Sequence, residues 1–191
     1  MADCRAAATC PLFRLEGGDA GADRSFPKFT RADIQGLPRD RLVSQLIDSG
    51  EWVSLLTRPF GRIPAADAVP AAIFVTAMDT RPLAPDPQLT INGHEEAFVA
   101  GALVMAGLTA GQVFICKAAG ARIPAVEHQR VRTEEFAGPH PAGLAGTHIH
   151  FLSPVNQRKS VWTIGYQNLI AIGYLFLTGK VFHERVIALS G

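Results

Sequence analysis

The chain has 191 residues, 48% of them apolar, and a formal net charge of +1. That length supports one sizeable domain with a core of its own, and the near-neutral charge gives no electrostatic case for nucleic acid or a membrane surface. Its three cysteines, Cys4, Cys10 and Cys116, are too few and too scattered for a disulfide framework or a zinc site, which points to reduced thiols in a cytosolic compartment. The opening MADCRAAATC has no charged segment followed by an apolar run, so it is not a signal peptide. PLFRLEG reads as a short strand leading into the Gly/Asp/Ser loop GGDAGADRS. Thr30 with Asp33 has the spacing of a capping box and predicts a short helix. Pro38 opens a better one, with Leu42, Val43, Leu46 and Ile47 at helical spacing and Gly50 as its stop. Trp52, Leu55 and Leu56 extend this as a further helical turn ended by Pro59. The following loop, TRPFGRIP, reads on its own as a solvated turn with Phe60 tucked inward.

Residues 71–78, AAIFVTAM, form a continuous apolar run whose length and β-branched content predict a buried parallel strand. It ends in Asp79-Thr80-Arg81-Pro82. Ligands of open α/β sheets bind beyond the carboxyl ends of the strands, so this loop lies where a site would lie; a turn or helix-entry role for Asp79 is the plainer alternative. Residues 95–108 read as a helix, 113–116 as a second buried strand, and 126–136 as a more polar strand or extended segment. FAGPHPAGLAGTHIHFL, residues 136–152, then has the pattern of a strand end, a Gly/Pro turn and a helix that starts at Pro141. Residues 161–164 predict a strand, 167–178 an apolar helix closed by Gly179, and 185–189 a last strand. The apolar stretch 169–177 is about half of the roughly 20 residues that span a bilayer. Strands alternating with helices indicate an α/β fold with a mostly parallel sheet flanked by helices.

The chemical motifs are sparse. Gly138, Gly143 and Gly146 do not make the G-x-G-x-x-G dinucleotide fingerprint, and neither a nucleophile elbow nor a phosphate-binding P-loop occurs. His148 and His150 would diverge by about 200° on a helix and could not share a metal ion there. With His140 they read as core or interface histidines; a metal-dependent enzyme built on the three is the sharper alternative. Adjacent carboxylates such as Glu134 and Glu135 point apart and read as solvated faces.

Four stretches carry more. LIDSGEWVSLLTRPFGRIPA, AIFVTAMDTRPLAPDP, FAGPHPAGLAGTHIHFLSPV, and IAIGYLFLTG followed by RVIALSG resemble the NqrA component of the sodium-translocating NADH:quinone reductase. They occur in the family's order and spacing and cover nearly the whole chain from about Phe26 onward. The resemblance implies that residues 26–191 are the middle α/β domain of a longer polypeptide, preceded in the family by a biotinyl/lipoyl-like domain and followed by ubiquitin-like and helical parts. The chain is then expected to be a truncated NqrA or a fragment of one, with residues 1–25 a partly disordered N-terminal segment. The implied fold is Rossmann-like, similar to the flavin-binding subunit of respiratory complex I and related to the RnfC component of the Rnf complex, but without flavin or iron–sulfur centres.

The family's holoenzyme oxidises NADH, reduces ubiquinone and drives sodium across the bacterial inner membrane. The resemblance implies a peripheral component on the cytoplasmic side, soluble if isolated, at the quinone end of the path and beside the membrane component NqrB. No cofactor, metal or catalytic residue is expected on this chain, and no activity alone. The implied quinone-proximal residues are Arg58, Pro59, Phe60 and Arg62. The chemistry fits: Phe60 can pack on a quinone ring or isoprenoid tail, and an arginine can donate to a carbonyl oxygen. Asp79 and Thr80 of the strand-end loop, and His140, Gly143, Gly146 and His148 of the glycine-rich turn, complete the candidates. Gly61 and Arg62 stand where the resemblance leads one to expect Ser and Lys, and Arg81 where Asn is expected. A pure assembly module without quinone contact is the alternative reading.

Overall fold

The computed structural model describes residues 24–156 and 159–188. The elements, in chain order, are α1 (Arg31–Gly36), α2 (Arg39–Ser49), a 3-10 turn (Glu51–Ser54), β1 (Leu56–Arg58), β2 (Ala72–Ala77), α3 (Pro87–Ile91), α4 (Glu95–Leu108), β3 (Gln112–Ala118), β4 (Val131–Phe136), α5 (Ala145–Leu152), β5 (Val161–Gly165) and α6 (Tyr166–Thr178). The five strands form one sheet in the order β1-β5-β2-β3-β4. β2 pairs in parallel with both β3 and β5, β3 pairs in parallel with β4, and β1 runs antiparallel to β5.

The central strands are apolar on both faces because both faces are covered. Ile73, Val75 and Ala77 of β2, with Val113, Ile115, Trp162 and Ile164, join the larger core under α1, α2, α4 and α6. Ala72, Phe74, Phe114, Cys116 and Val161 point the other way and meet Ile149 of α5 in a smaller core. There the Phe74 and Phe114 rings stack with centroids 5.1 Å apart. Burial pushes the Cys116 thiol up to about 12, so this cysteine is an apolar filler rather than a nucleophile.

The capping box is present: Thr30 Oγ1 accepts from the Asp33 amide, and the Asp33 carboxylate accepts from the Thr30 amide at 2.9 Å. α2 ends on Gly50 in the left-handed conformation, and α6 ends on Gly179 in the same way. Ile47, although at helical spacing, is exposed.

Three expectations need correction, and one helix is not among those expected. Trp52 lies in the 3-10 turn, but Leu56 does not continue it; residues 56–58 are an edge strand, too short to show a period. Pro141 does not open α5, which starts at Ala145; the His140–Pro141 bond is cis and belongs to the turn. Residues 185–188 form no strand and run along α6, with Gln167 Oε1 accepting from the Val186 amide. α3 goes unnoticed in the sequence pattern, although Asp86 caps it and Pro87 opens it. The reading of PLFRLEG as a strand falls outside the described residues.

Candidate functional site

β3 and β4 lie on one side of β2 and β5 lies on the other, so the strand order reverses between β2 and β5. Crevices at such reversals, beyond the carboxyl ends, are where open α/β sheets hold ligands. A cleft of about 420 Å³ occupies this position. Its floor is Thr76 and Met78 from the end of β2 and Thr163, Ile164 and Gly165 from β5. Asp79 and Arg81 form one wall, Gly143, Leu144 and Ala145 a second, and Leu56 and Arg58 of β1 a third. Tyr166, Gln167 and Asn168 bring the first turn of α6 to it, and Arg185 reaches in from the C-terminal segment.

Asp79 is engaged locally. Its carboxylate accepts from the Arg81 backbone amide and from Arg81 Nε, each at 3.0 Å, and from Arg81 Nη2. These bonds hold the carboxyl below its usual range. The Arg81 charge, at the position where Asn is expected, is thus paired with its own neighbour.

The strand-end loop and the glycine-rich turn meet. The Gly143 amide donates to Thr80 Oγ1 at 3.0 Å, and Thr80 Oγ1 lies 3.3 Å from His140 Nδ1. A Cβ on residue 143 would come within 2.7 Å of the Thr80 backbone nitrogen, so only glycine lets the turn sit this close. Three residues from two separate stretches, Thr80, His140 and Gly143, therefore form one contact. Gly146 does not join them; it is exposed, with open space where a side chain would be.

His148 supports the turn from beneath. It is fully buried, its Nε2 donates to the Ala142 carbonyl oxygen at 2.9 Å, and its ring lies 4.3 Å from that of Phe136. His150, two residues on, is exposed. Among the described residues no group of three or more His, Cys, Asp and Glu is placed to hold a metal ion. Burial lowers the His148 pKa, because Nδ1 has no partner to receive a charge. The unfolded chain protonates this histidine near its usual 6.5, while the folded chain keeps it neutral to lower pH. The unfolded state then binds the extra proton, and stability falls as pH drops below that value. Urea unfolding between about pH 7 and about pH 5 should show this decline, and His148→Gln, which keeps a donor for Ala142, should flatten it. An unchanged slope in the variant would show that the histidine has no part in it.

TRPFGRIP folds back on the sheet edge. The Thr57 amide donates to the Arg62 carbonyl oxygen and the Gly61 amide to the Thr57 carbonyl oxygen, each at 2.7 Å. The turn thereby occupies the free edge of β1. Arg58 enters the cleft, whereas Pro59, Phe60 and Arg62 face solvent and do not line it. Phe60 is 68% exposed, contrary to its expected inward position. A short turn closed by its own backbone leaves no room to fold the ring under. Arg58 Nε is buried without a hydrogen-bond partner.

A family model described as the NqrA second alpha/beta domain matches residues 37–181. The chain belongs to this family. Among curated relatives, the NqrA component of the Na(+)-translocating NADH-quinone reductase of Saccharophagus degradans is 51% identical over 177 residues, 93% of this chain and 39% of that protein. NqrA of Vibrio alginolyticus is 50% identical over 87% of this chain and 37% of its own length, and that of Neisseria gonorrhoeae 50% identical over 94% and 40%. The chain thus spans about two fifths of the length of these NqrA relatives. Within this NqrA-type domain, no helix among the described residues is long and apolar enough to cross a membrane.

Sequence reasoning does not single out Arg185, Tyr166, Gln167 or Asn168. A glycine before an apolar helix is the available signal for the α6 residues. Arg185 has none, because its place depends on the path of an extended segment.

Proposed function

We propose that this chain works as part of the NqrA component of a sodium-translocating NADH:ubiquinone reductase, as a peripheral domain on the cytoplasmic side that touches quinone and helps assembly, beside the membrane component NqrB. No redox centre of its own is assigned to it. Support for the complex comes from the identity of about half to NqrA relatives across most of the chain. The reading of the sheet as Rossmann-like rests on the order of its four parallel strands, which reverses at β2.

The observation that favours quinone contact is the pairing of Phe60 and Arg58 on one turn. The Phe60 ring is exposed to solvent, and two residues before it Arg58, whose Nε has no partner among the described residues, lines the cleft. The ring offers a stacking surface and the guanidinium a donor for a quinone oxygen. A ubiquinone analogue carrying a photoreactive group, applied to the whole complex, should label residues 58–62, and excess ubiquinone should suppress the label. Labelling confined to other polypeptides of the complex would defeat quinone contact. It would favour the second reading, an assembly surface formed by the exposed Val53, Phe60 and Ile63.

A further inference from the structure

The strand-end cleft has a charge pattern that the quinone reading uses only at Arg58. Three arginines line it, Arg58, Arg81 and Arg185, against one carboxylate, Asp79. Arg81 and Asp79 are paired with each other, so Arg58 and Arg185 carry the excess charge. Among the described residues Arg185 donates only to neutral acceptors, the side-chain oxygen of Asn168 at 3.2 Å and the carbonyl oxygens of Glu184 and Phe182. Glu51 feels its charge but makes no salt bridge with it among the described residues, and its carboxylate accepts instead from Ser54 Oγ at 3.3 Å. Arg58 has no hydrogen-bond partner at Nε, which is shielded from water. A guanidinium half-buried in this way is left at that nitrogen without either solvent or an acceptor.

The third contribution comes from α6. This helix of 13 residues begins at the cleft, and its N-cap, Gly165, supplies no side-chain cap. Its first turn, Tyr166 to Asn168, lines the same space. The positive end of the helix and its free amides therefore face the region that the two arginines face. Opposite them lie apolar surfaces of Leu56, Met78, Leu144 and Ile164.

We propose that this cleft binds a small organic phosphate, with the phosphate held between Arg58, Arg185 and the first turn of α6. Two forked guanidinium groups and a helix N-terminus offer more donors than a planar carboxylate can accept. The terminal oxygens of a phosphate monoester match them, and its charge matches the excess. The volume of about 420 Å³ falls within the range of small-molecule sites and suits a ligand of mononucleotide size, its organic part on the apolar wall. The site shares Arg58 with the quinone turn and is otherwise distinct from it, since Pro59, Phe60 and Arg62 do not line it and Arg185 reaches it from the opposite end of the chain.

Calorimetric titration of the 191-residue chain with adenosine monophosphate, inorganic phosphate and adenosine tests the proposal. Adenosine monophosphate should bind, inorganic phosphate should compete with it more weakly, and adenosine should not bind. Arg185→Gln and Arg58→Gln should each weaken the nucleotide by about tenfold, because each removes one charge-assisted contact. Arg185 is exposed, so its variant should keep the parent melting temperature and report on binding alone. Failure of both phosphates to bind at millimolar concentration overturns the proposal. So does equal binding of adenosine, binding of phosphate without any nucleotide, or unchanged affinity in Arg185→Gln. Loss of binding in Arg185→Gln with normal quinone labelling of the turn would separate the two sites.

Discussion

Replacing Gly173 with alanine should destabilise the domain by about 3 kcal/mol and lower its melting temperature by about 6–12 °C. The reason is the way α4 and α6 cross. A Cβ on residue 173 would stand 1.7 Å from the Ala97 carbonyl oxygen, and a Cβ on residue 101 would stand 2.2 Å from the Leu169 carbonyl oxygen. The contact is reciprocal: a glycine of each helix lies against the backbone of the other. Neither obstacle is a flexible side chain. Both are carbonyl groups of helices packed between the sheet and the rest of the core, so relief requires the helix axes to separate. That separation would open space around Phe98, Ile170 and Phe176, all buried here. Gly101→Ala should behave in the same direction. Gly146→Ala is the control, since nothing lies within 4 Å of its added methyl group. It sits in the first turn of α5 and should be neutral or more stable by about 0.5–1 kcal/mol, from the entropy that glycine loses on folding. Thermal scans of the three variants decide the matter: a Gly173→Ala protein that melts with the parent would show that the two helices do not meet backbone to backbone.

These glycines mark the boundary of what the sequence makes legible. The apolar run of β2 announces a strand covered on both faces, because only such a strand can dispense with polar alternation. α4 is equally plain, bounded by Glu95 and Glu96 at its start and by Thr109 and Gly111 after its end. Gly101 and Gly173 can be seen in the sequence, but their meaning depends on which helix lies opposite, and no local pattern carries that. The same holds for the site. The rule that ligands gather at strand ends directs attention to Asp79 and Thr80, and composition alone marks the glycine-rich turn. Their union through Thr80 Oγ1 spans about 60 residues of chain and follows from tertiary packing. Pro141 misleads because proline is suited both to a first helical position and to a turn, and here the turn wins. Phe60 misleads because a large ring in a short loop is expected to be buried, whereas the loop uses its backbone to close the β1 edge.

Trp162→Ala should cost about 3–5 kcal/mol, a large share of the roughly 5–15 kcal/mol that holds a domain folded. Trp162 is fully buried in β5, next to the point where the strand order reverses. Its ring meets that of Trp52 edge to face, with centroids 5.5 Å apart at 84°. Trp52 in turn donates from Nε1 to the Pro64 carbonyl oxygen at 2.8 Å, at the far end of TRPFGRIP. The two tryptophans thus join the sheet core to the loop that carries Arg58 and Phe60. Trp52→Phe isolates the second half of that linkage: an apolar ring remains against Trp162, but the Pro64 carbonyl loses its donor, at a cost of about 1–3 kcal/mol. The loop should then open more often while the sheet stays closed. Hydrogen exchange reads this directly, because the Thr57 and Gly61 amides are bonded within the turn and the β2 amides are not part of it. In Trp52→Phe the first pair should exchange faster and those of β2 should keep their protection relative to global stability. Equal acceleration of both sets would mean that Trp52 supports the whole domain without any particular hold on the loop, and that Arg58 owes its position to β1 alone.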